Sequence, residues 1–185
     1  NGTALETLFK CIEKTLKNAN TELDQIRSFI CCVGPGSVLG LRLAVMAVQT
    51  WARIHFRKAP LYTYNSLDFC VRTLQLEQIK LNGSILVSDW KKDAWHAVKL
   101  LEDQECKLEM IDSDTLSTWS GAIFHLPQRK GWQDPPTNCN TIQYQPKRII
   151  ECIDSGILHR TESIELFSPT INNYKKWIPK RHGST

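Results

Sequence analysis

The spacing of apolar positions along this chain changes several times, and each spacing predicts a different element. Leu5, Leu8, Phe9, Ile12 and Leu16 recur every three or four residues. That is the period of a helix with one apolar face, so a helix is expected over Ala4 to Asn18, with Lys10, Glu13, Lys14 and Lys17 outward. Phe29-Ile30-Cys31-Cys32-Val33 is instead a continuous apolar run, the pattern of a strand covered on both faces. The helix expected next, from about Val38 to Phe56, is apolar on two sides. Leu39, Leu43, Met46 and Thr50 fall on one side and Leu41, Val45, Val48 and Ala52 on the other, with Arg42, Gln49 and Arg53 as a narrow polar stripe. Such a helix must be buried twice, once against its own sheet. Its second side is covered either by the first helix or by a partner, and the pattern alone leaves both open.

Pro60-Leu61-Tyr62-Thr63-Tyr64 reads as a second strand, and Ser66 as the cap of a helix through Leu67, Phe69, Cys70, Val71 and Leu74. Helices alternating with strands in this way imply an α/β unit with parallel strands. From Leu81 to Gly83 onward the pattern shortens. Ile85 to Ser88, Ala94 to Leu100 and Cys106 to Ile111 predict an antiparallel meander whose first turn is Lys91-Lys92-Asp93. Ser113 or Asp114 can cap a short helix toward Trp119, and Ala122 to Leu126 can form a strand. Residues 127–145 read as polar loop. A closing helix from Pro146 to Leu158 would turn Ile149, Ile150, Ile153 and Ile157 inward, ahead of an extended Phe167-Ser168-Pro169 segment. The chain thus divides into an α/β subdomain over residues 1–80 and an α+β subdomain over residues 81–185.

Composition narrows the function classes. With 185 residues and 42% hydrophobic content the chain can bury a real core. No run approaches the ~20 apolar residues of a membrane span, so no membrane association is expected. Seven cysteines, an odd number, with Cys31, Cys32 and Cys70 in apolar surroundings, suit reduced core residues and a cytoplasmic setting. Asn82-Gly83-Ser84 fits the glycosylation pattern but carries no meaning in that setting. The formal net charge of +4 permits contact with nucleic acid without requiring it. Its densest cluster is Lys175, Lys176, Lys180, Arg181 and His182, interleaved with Tyr174 and Trp177, which is either a solvated tail or an RNA contact.

Between the first strand and the doubly apolar helix lies Val33-Gly34-Pro35-Gly36-Ser37-Val38-Leu39-Gly40-Leu41-Arg42. The glycines permit backbone angles closed to other residues, Pro35 stiffens the turn, and Ser37 is placed to cap the helix. A strand, a glycine turn and a helix N-terminus can hold an anion, and the same geometry serves close packing. The lysine of a phosphate-binding loop is absent. Catalytic chemistry is otherwise sparse: there is no CxxC, HExxH or HxxxH, and His55, His96, His125, His159 and His182 are scattered singly. Asp89 and Asp93 flank a turn, where carboxylates are expected to be solvated.

The run from Gly34 to Arg42 resembles the GPGSFTGLR signature of the bacterial TsaB (YeaZ-type) proteins, non-catalytic members of the Kae-type, actin-like ATPase superfamily. Tyr64-Asn65-Ser66-Leu67 is similar to the family's strand end, and Ser88 to Trp95 is similar in layout to its D-A-R-x-x-E-V-Y hairpin. Ser168-Pro169-Thr170-Ile171 corresponds loosely to its C-terminal segment. Val38-Leu39 replaces the usual Phe-Thr, which removes a hydroxyl from the first turn of the helix. The resemblance implies an actin-like, ribonuclease H-like ATPase fold of two small subdomains. It also implies a strand hairpin ahead of Ala4 that the chain as given lacks, to be supplied by a longer chain or a separate segment.

The implied function is that of a non-catalytic scaffold for a TsaD-type catalytic paralogue, acting with a TsaE-type ATPase in threonylcarbamoyladenosine modification of tRNA adenosine 37. The resemblance further implies a homodimer in isolation, contact with tRNA through the complex, and no cofactor of the chain's own, with ATP or ADP and metal belonging to the partner complex. Its pairing residues would be Leu5, Phe9 and Ile12 on the first helix and Leu39, Leu43, Met46 and Thr50 on the second. The glycine loop would comprise Gly34, Pro35, Gly36, Ser37, Gly40 and Arg42. The rival reading is an actin-like-fold nucleotide hydrolase, or a glycoprotease-like peptidase, acting alone.

Overall fold

The structure, a computed structural model, describes residues 4–101, 107–128 and 133–167, with side chains from residue 6 onward. Helix α1 (Ala4–Asn18) leads into strand β1 (Phe29–Gly34), helix α2 (Val38–Ile54), strand β2 (Leu61–Asn65) and helix α3 (Ser66–Leu76). β1 and β2 are parallel, with Phe29 opposite Leu61 and Cys32 opposite Tyr64, as the α/β pattern requires. α2 stops at Ile54, short of Phe56. His55 still donates its backbone N–H to the Trp51 carbonyl but has extended backbone angles, and the chain turns as the Lys58 N–H closes on the His55 carbonyl at 2.9 Å.

The second sheet has the order β5-β4-β3-β6-β7. Strands β3 (Ser84–Lys91), β4 (Ala94–Leu100) and β5 (Leu108–Asp112) form the expected antiparallel meander. Helix α4 (Ser113–Ser117) is capped by Asp112 and not by Ser113 or Asp114: an Asp112 carboxylate oxygen accepts the Thr115 N–H at 2.8 Å. Strand β6 (Ile123–Leu126) lies parallel to β3 on the other side. β7 (Cys139–Thr141) pairs with β6 inside the segment expected to be loop, a strand too short and polar to show an apolar period.

The closing helix also differs from expectation. Residues Pro146–Ser155 form a 3-10 helix, whose three-residue period stacks Ile149 and Cys152 on one side. Cys152 is fully buried and Ile149 packs on the core, while Ile150 and Ile153 are turned out at 71% and 49% exposure. Ile157 does pack inward. The chain then returns to the first sheet as β8 (His159–Thr161), antiparallel on β2, for an order β1-β2-β8. β1 is therefore an edge strand among the described residues. Phe29 and Cys31 are buried under α2, but Ile30 on the other face is 36% exposed, so that face is not fully covered as the apolar run implied.

α3 joins the two sheets. Its Leu67, Phe69, Cys70 and Leu74 pack with Leu86, Val98, Phe124 and Leu126 of the second sheet and with Cys152. No helix among the described residues is long and apolar enough to cross a membrane. The basic cluster from Lys175 to His182 and the Ser168 to Ile171 segment lie outside the described residues.

Candidate functional site

Gly34 ends β1 with a φ of +112°, and a Cβ there would stand 3.2 Å from Leu41 Cδ1. Both facts call for glycine: the backbone angle strains any side chain, and α2 comes too close for one. Pro35 is buried next to it, and the Ser66 hydroxyl donates to the Pro35 carbonyl at 2.7 Å. Ser37 caps α2 as expected, accepting the Gly40 N–H at 3.4 Å. Arg42 is exposed on the first turn of the helix. The loop thus pins β1, α2 and the start of α3 together, and its geometry serves the close-packing role.

The second sheet reaches the loop through Gln128. A Cβ at Gly36 would lie 3.5 Å from Gln128 Oε1, and Gln128 Nε2 donates to the Ser88 hydroxyl at 2.9 Å. Because β3 and β6 are parallel neighbours, Asp89 and His125 meet at their C-terminal ends. His125 Nε2 and Asp89 Oδ1 are 2.9 Å apart, the Gln128 backbone N–H donates to Asp89 Oδ2 at 3.0 Å, and Gln133 Nε2 donates to Oδ1 at 3.4 Å. Burial pushes the Asp89 carboxyl up, but the bonds from His125, Gln128 and Gln133 outweigh it and hold the acid below its usual range.

The expectation of a solvated turn carboxylate is therefore corrected for Asp89, which is 6% exposed. β3 runs through Lys91, and the turn residue is Asp93, with its φ of +58°. One signal in the sequence pointed this way: Ile85, Val87 and Asp89 share one face of a strand, and the first two are fully buried. Its partner His125 stands 36 residues away, where no spacing rule reaches.

Other titratable groups are structural. His96, on β4, is held between the rings of Trp90 and Phe167 at 5.5 and 5.6 Å, and burial pushes it down to about 4. Burial raises Cys31 to about 11 and Cys70 to about 12, so both thiols stay protonated and serve as core packing. No group of three His, Cys, Asp or Glu residues able to hold a metal occurs among the described residues.

The helix positions named for pairing differ in exposure. α1 lies on α2, with Phe9 edge-on to Trp51 at 6.3 Å, yet Phe9 remains 51% exposed. Along α2, Leu39 and Met46 are 62% and 67% exposed, with Val38 and Ile54 beside them at 63% and 69%. Thr50 is exposed, its hydroxyl turned back to the Met46 carbonyl at 2.8 Å, while Ile12 and Leu43 are half-buried. The opposite face of α2, through Val45, Val48 and Ala52, packs on β1 and β2. α1 therefore leaves Leu39, Met46 and Thr50 on the second side of α2 exposed, and its Phe9–Trp51 contact lies off that side. The side chain of Leu5 lies outside the described residues.

Residues 4–94 match the family described as TsaD, tRNA N6-adenosine threonylcarbamoyltransferase. A search of the curated proteins gave no significant match. Among solved structures, the fold is similar to an uncharacterized Pseudomonas aeruginosa protein described as having similarity to peptidase YeaZ. The TM-score is 0.60 at 15% identity, over 89% of this chain and 83% of that one. It is also similar to YeaZ from Pseudomonas aeruginosa, with a TM-score of 0.55 at 15% identity, over 84% of this chain and 80% of that one.

Proposed function

We propose that the chain, which shares the α/β fold of the YeaZ structures and matches the TsaD family model over residues 4–94, is a TsaB-like, non-catalytic subunit supporting a TsaD-type partner in threonylcarbamoyladenosine modification of tRNA. The observation that carries this reading is the stripe of Leu39 and Met46 on one side of α2, left exposed although α1 packs on the same helix. Large apolar side chains left exposed along one side of a helix otherwise docked to its sheet mark an interaction site. The glycine loop supports the same reading, because it fixes where α2 starts and hence how that face is presented.

In this function the chain contributes a rigid surface and no reacting group. Burying Leu39 and Met46 against a partner helix releases water from apolar area, at about 25 cal/mol per Å². The same face would support a homodimer when the catalytic paralogue is absent. The TsaE-type ATPase, ATP or ADP, metal and tRNA enter through the assembled complex.

The test is co-elution of the chain with its TsaD-type paralogue on size exclusion. Met46→Glu should abolish pairing with the circular dichroism spectrum unchanged, since a charge placed there is solvated in the free chain and desolvated in the complex. Retained co-elution of a folded Met46→Glu chain overturns the reading.

A further inference from the structure

The exposed stripe of α2 carries charge as well as apolar side chains. On a helix, positions three, four and seven apart share one side. Arg42 stands three residues beyond Leu39 and four before Met46, Arg53 stands seven beyond Met46, and both arginines are exposed. At a helical rise of about 1.5 Å per residue they lie about 16 Å apart along the axis, with Met46 between them. Neither forms an ion pair among the described residues, and α2 contains no Asp or Glu. At the Arg53 end the charge is reinforced. Lys58 from the turn after the helix and Arg160 from β8 line one groove of about 760 Å³ with Arg53, and Glu162 lines it without an ion pair to any of the three. A partner that covers Met46 also takes water from Arg42, one turn away. Desolvating a cation without a counter-charge is strongly unfavourable, so the stripe selects its partner by charge.

We propose that Leu39, Arg42, Met46 and Arg53 form a docking strip for a helix whose apolar centre is flanked by carboxylates, one set pairing with Arg42 and the other entering the Arg53 groove. The proposal rests on the pairing reading and specifies the chemistry of its partner. A second copy of the chain is the weaker occupant. In a two-fold pairing the same patch faces itself, so four arginines gather and α2 supplies no acid. α1 offers Glu6 and Glu13 only among Lys10, Lys14 and Lys17. Nucleic acid would take the cations but leave Leu39 and Met46 in water. The two protein assemblies therefore differ in their response to salt: screening weakens a pairing of opposite charges and strengthens one of like charges.

Sedimentation equilibrium of the full chain, alone and with its TsaD-type paralogue, across a series of salt concentrations reads both dissociation constants. The wild-type complex should weaken as salt rises, while self-association should tighten. Arg42→Glu/Arg53→Glu, with an unchanged circular dichroism spectrum, should lose at least about tenfold in affinity for the paralogue at low salt and invert the salt slope. Arg42→Gln/Arg53→Gln should fall between the two, a graded response that misfolding does not give. Lys92→Glu/Lys147→Glu, which makes the same change in net charge away from α2, should keep the wild-type affinity and slope. Equal slopes for the arginine-reversed and wild-type chains overturn the proposal. So does self-association tighter than the complex at every salt concentration, which would make a second copy the occupant. A complex lost with Met46→Glu but untouched by arginine reversal leaves the pairing reading standing and this proposal alone refuted. A complex that survives Met46→Glu, or no complex at all, overturns the pairing reading and this proposal with it.

Discussion

His96 shows how much one buried side chain can set at the residue scale. Its neighbours along the sheet are Ser88 and Met110, its ring contacts are Trp90 and Phe167, and nothing among them compensates a positive charge. The folded state therefore holds it neutral down to about 4, whereas the unfolded chain protonates it near the ordinary value of about 6.5. Between those values the unfolded state binds more protons, so stability falls as pH falls through the window, by about 3 kcal/mol in all. Urea denaturation of the wild type and His96→Gln at pH 7.5, 5.5 and 4.5 measures this. The difference in stability between the two should shift toward the variant by that amount on acidification, and a constant difference would contradict it. Asp89 teaches a related lesson: a carboxylate whose neighbours in sequence look like a turn is buried because its strand is longer than its apolar run.

At the element scale, α2 carries the contrast on which the proposed pairing rests. Val45 and Met46 are adjacent, yet one is 8% exposed under the first sheet's core and the other 67% exposed. Met46→Glu should change the stability of the free chain by less than about 0.5 kcal/mol, since the site is solvated. Val45→Glu should cost several kcal/mol or unfold the chain, because it places an unpaired charge in the core. Thermal melts of both variants check this, and similar melting temperatures would mean that the face open in the isolated chain is not the one described. The 3-10 helix makes the same point in reverse. An α-helical period assigned Ile150 and Ile153 to the core, and the three-residue period exposes them.

For the molecule as a whole, α3 decides whether the two sheets act as one body. Phe69 is fully buried among side chains from the second sheet and from α3 itself, and its ring meets Tyr64 and Tyr144 edge-on at 5.6 Å each. Phe69→Ala should cost about 3–5 kcal/mol. It should leave a single denaturation transition by both tryptophan fluorescence and far-ultraviolet circular dichroism, because the same cluster holds both sheets. Two separated transitions would show instead that the sheets unfold independently.

What the sequence determined by itself is what depends on local periodicity and on single positions. The helix over residues 4–18, the parallel β1–β2 pair, the two apolar sides of α2, the meander and the glycine loop were all legible, since each rests on spacing or on a residue with special backbone freedom. The tertiary structure decided what depends on distant segments meeting. The parallel β3–β6 pairing brings Asp89 to His125, β8 returns to the edge of the first sheet, and Arg160 joins Arg53 and Lys58 across more than a hundred residues. Pairing between strands far apart in sequence is governed by long-range packing, and no local pattern encodes which polar side chains will converge there.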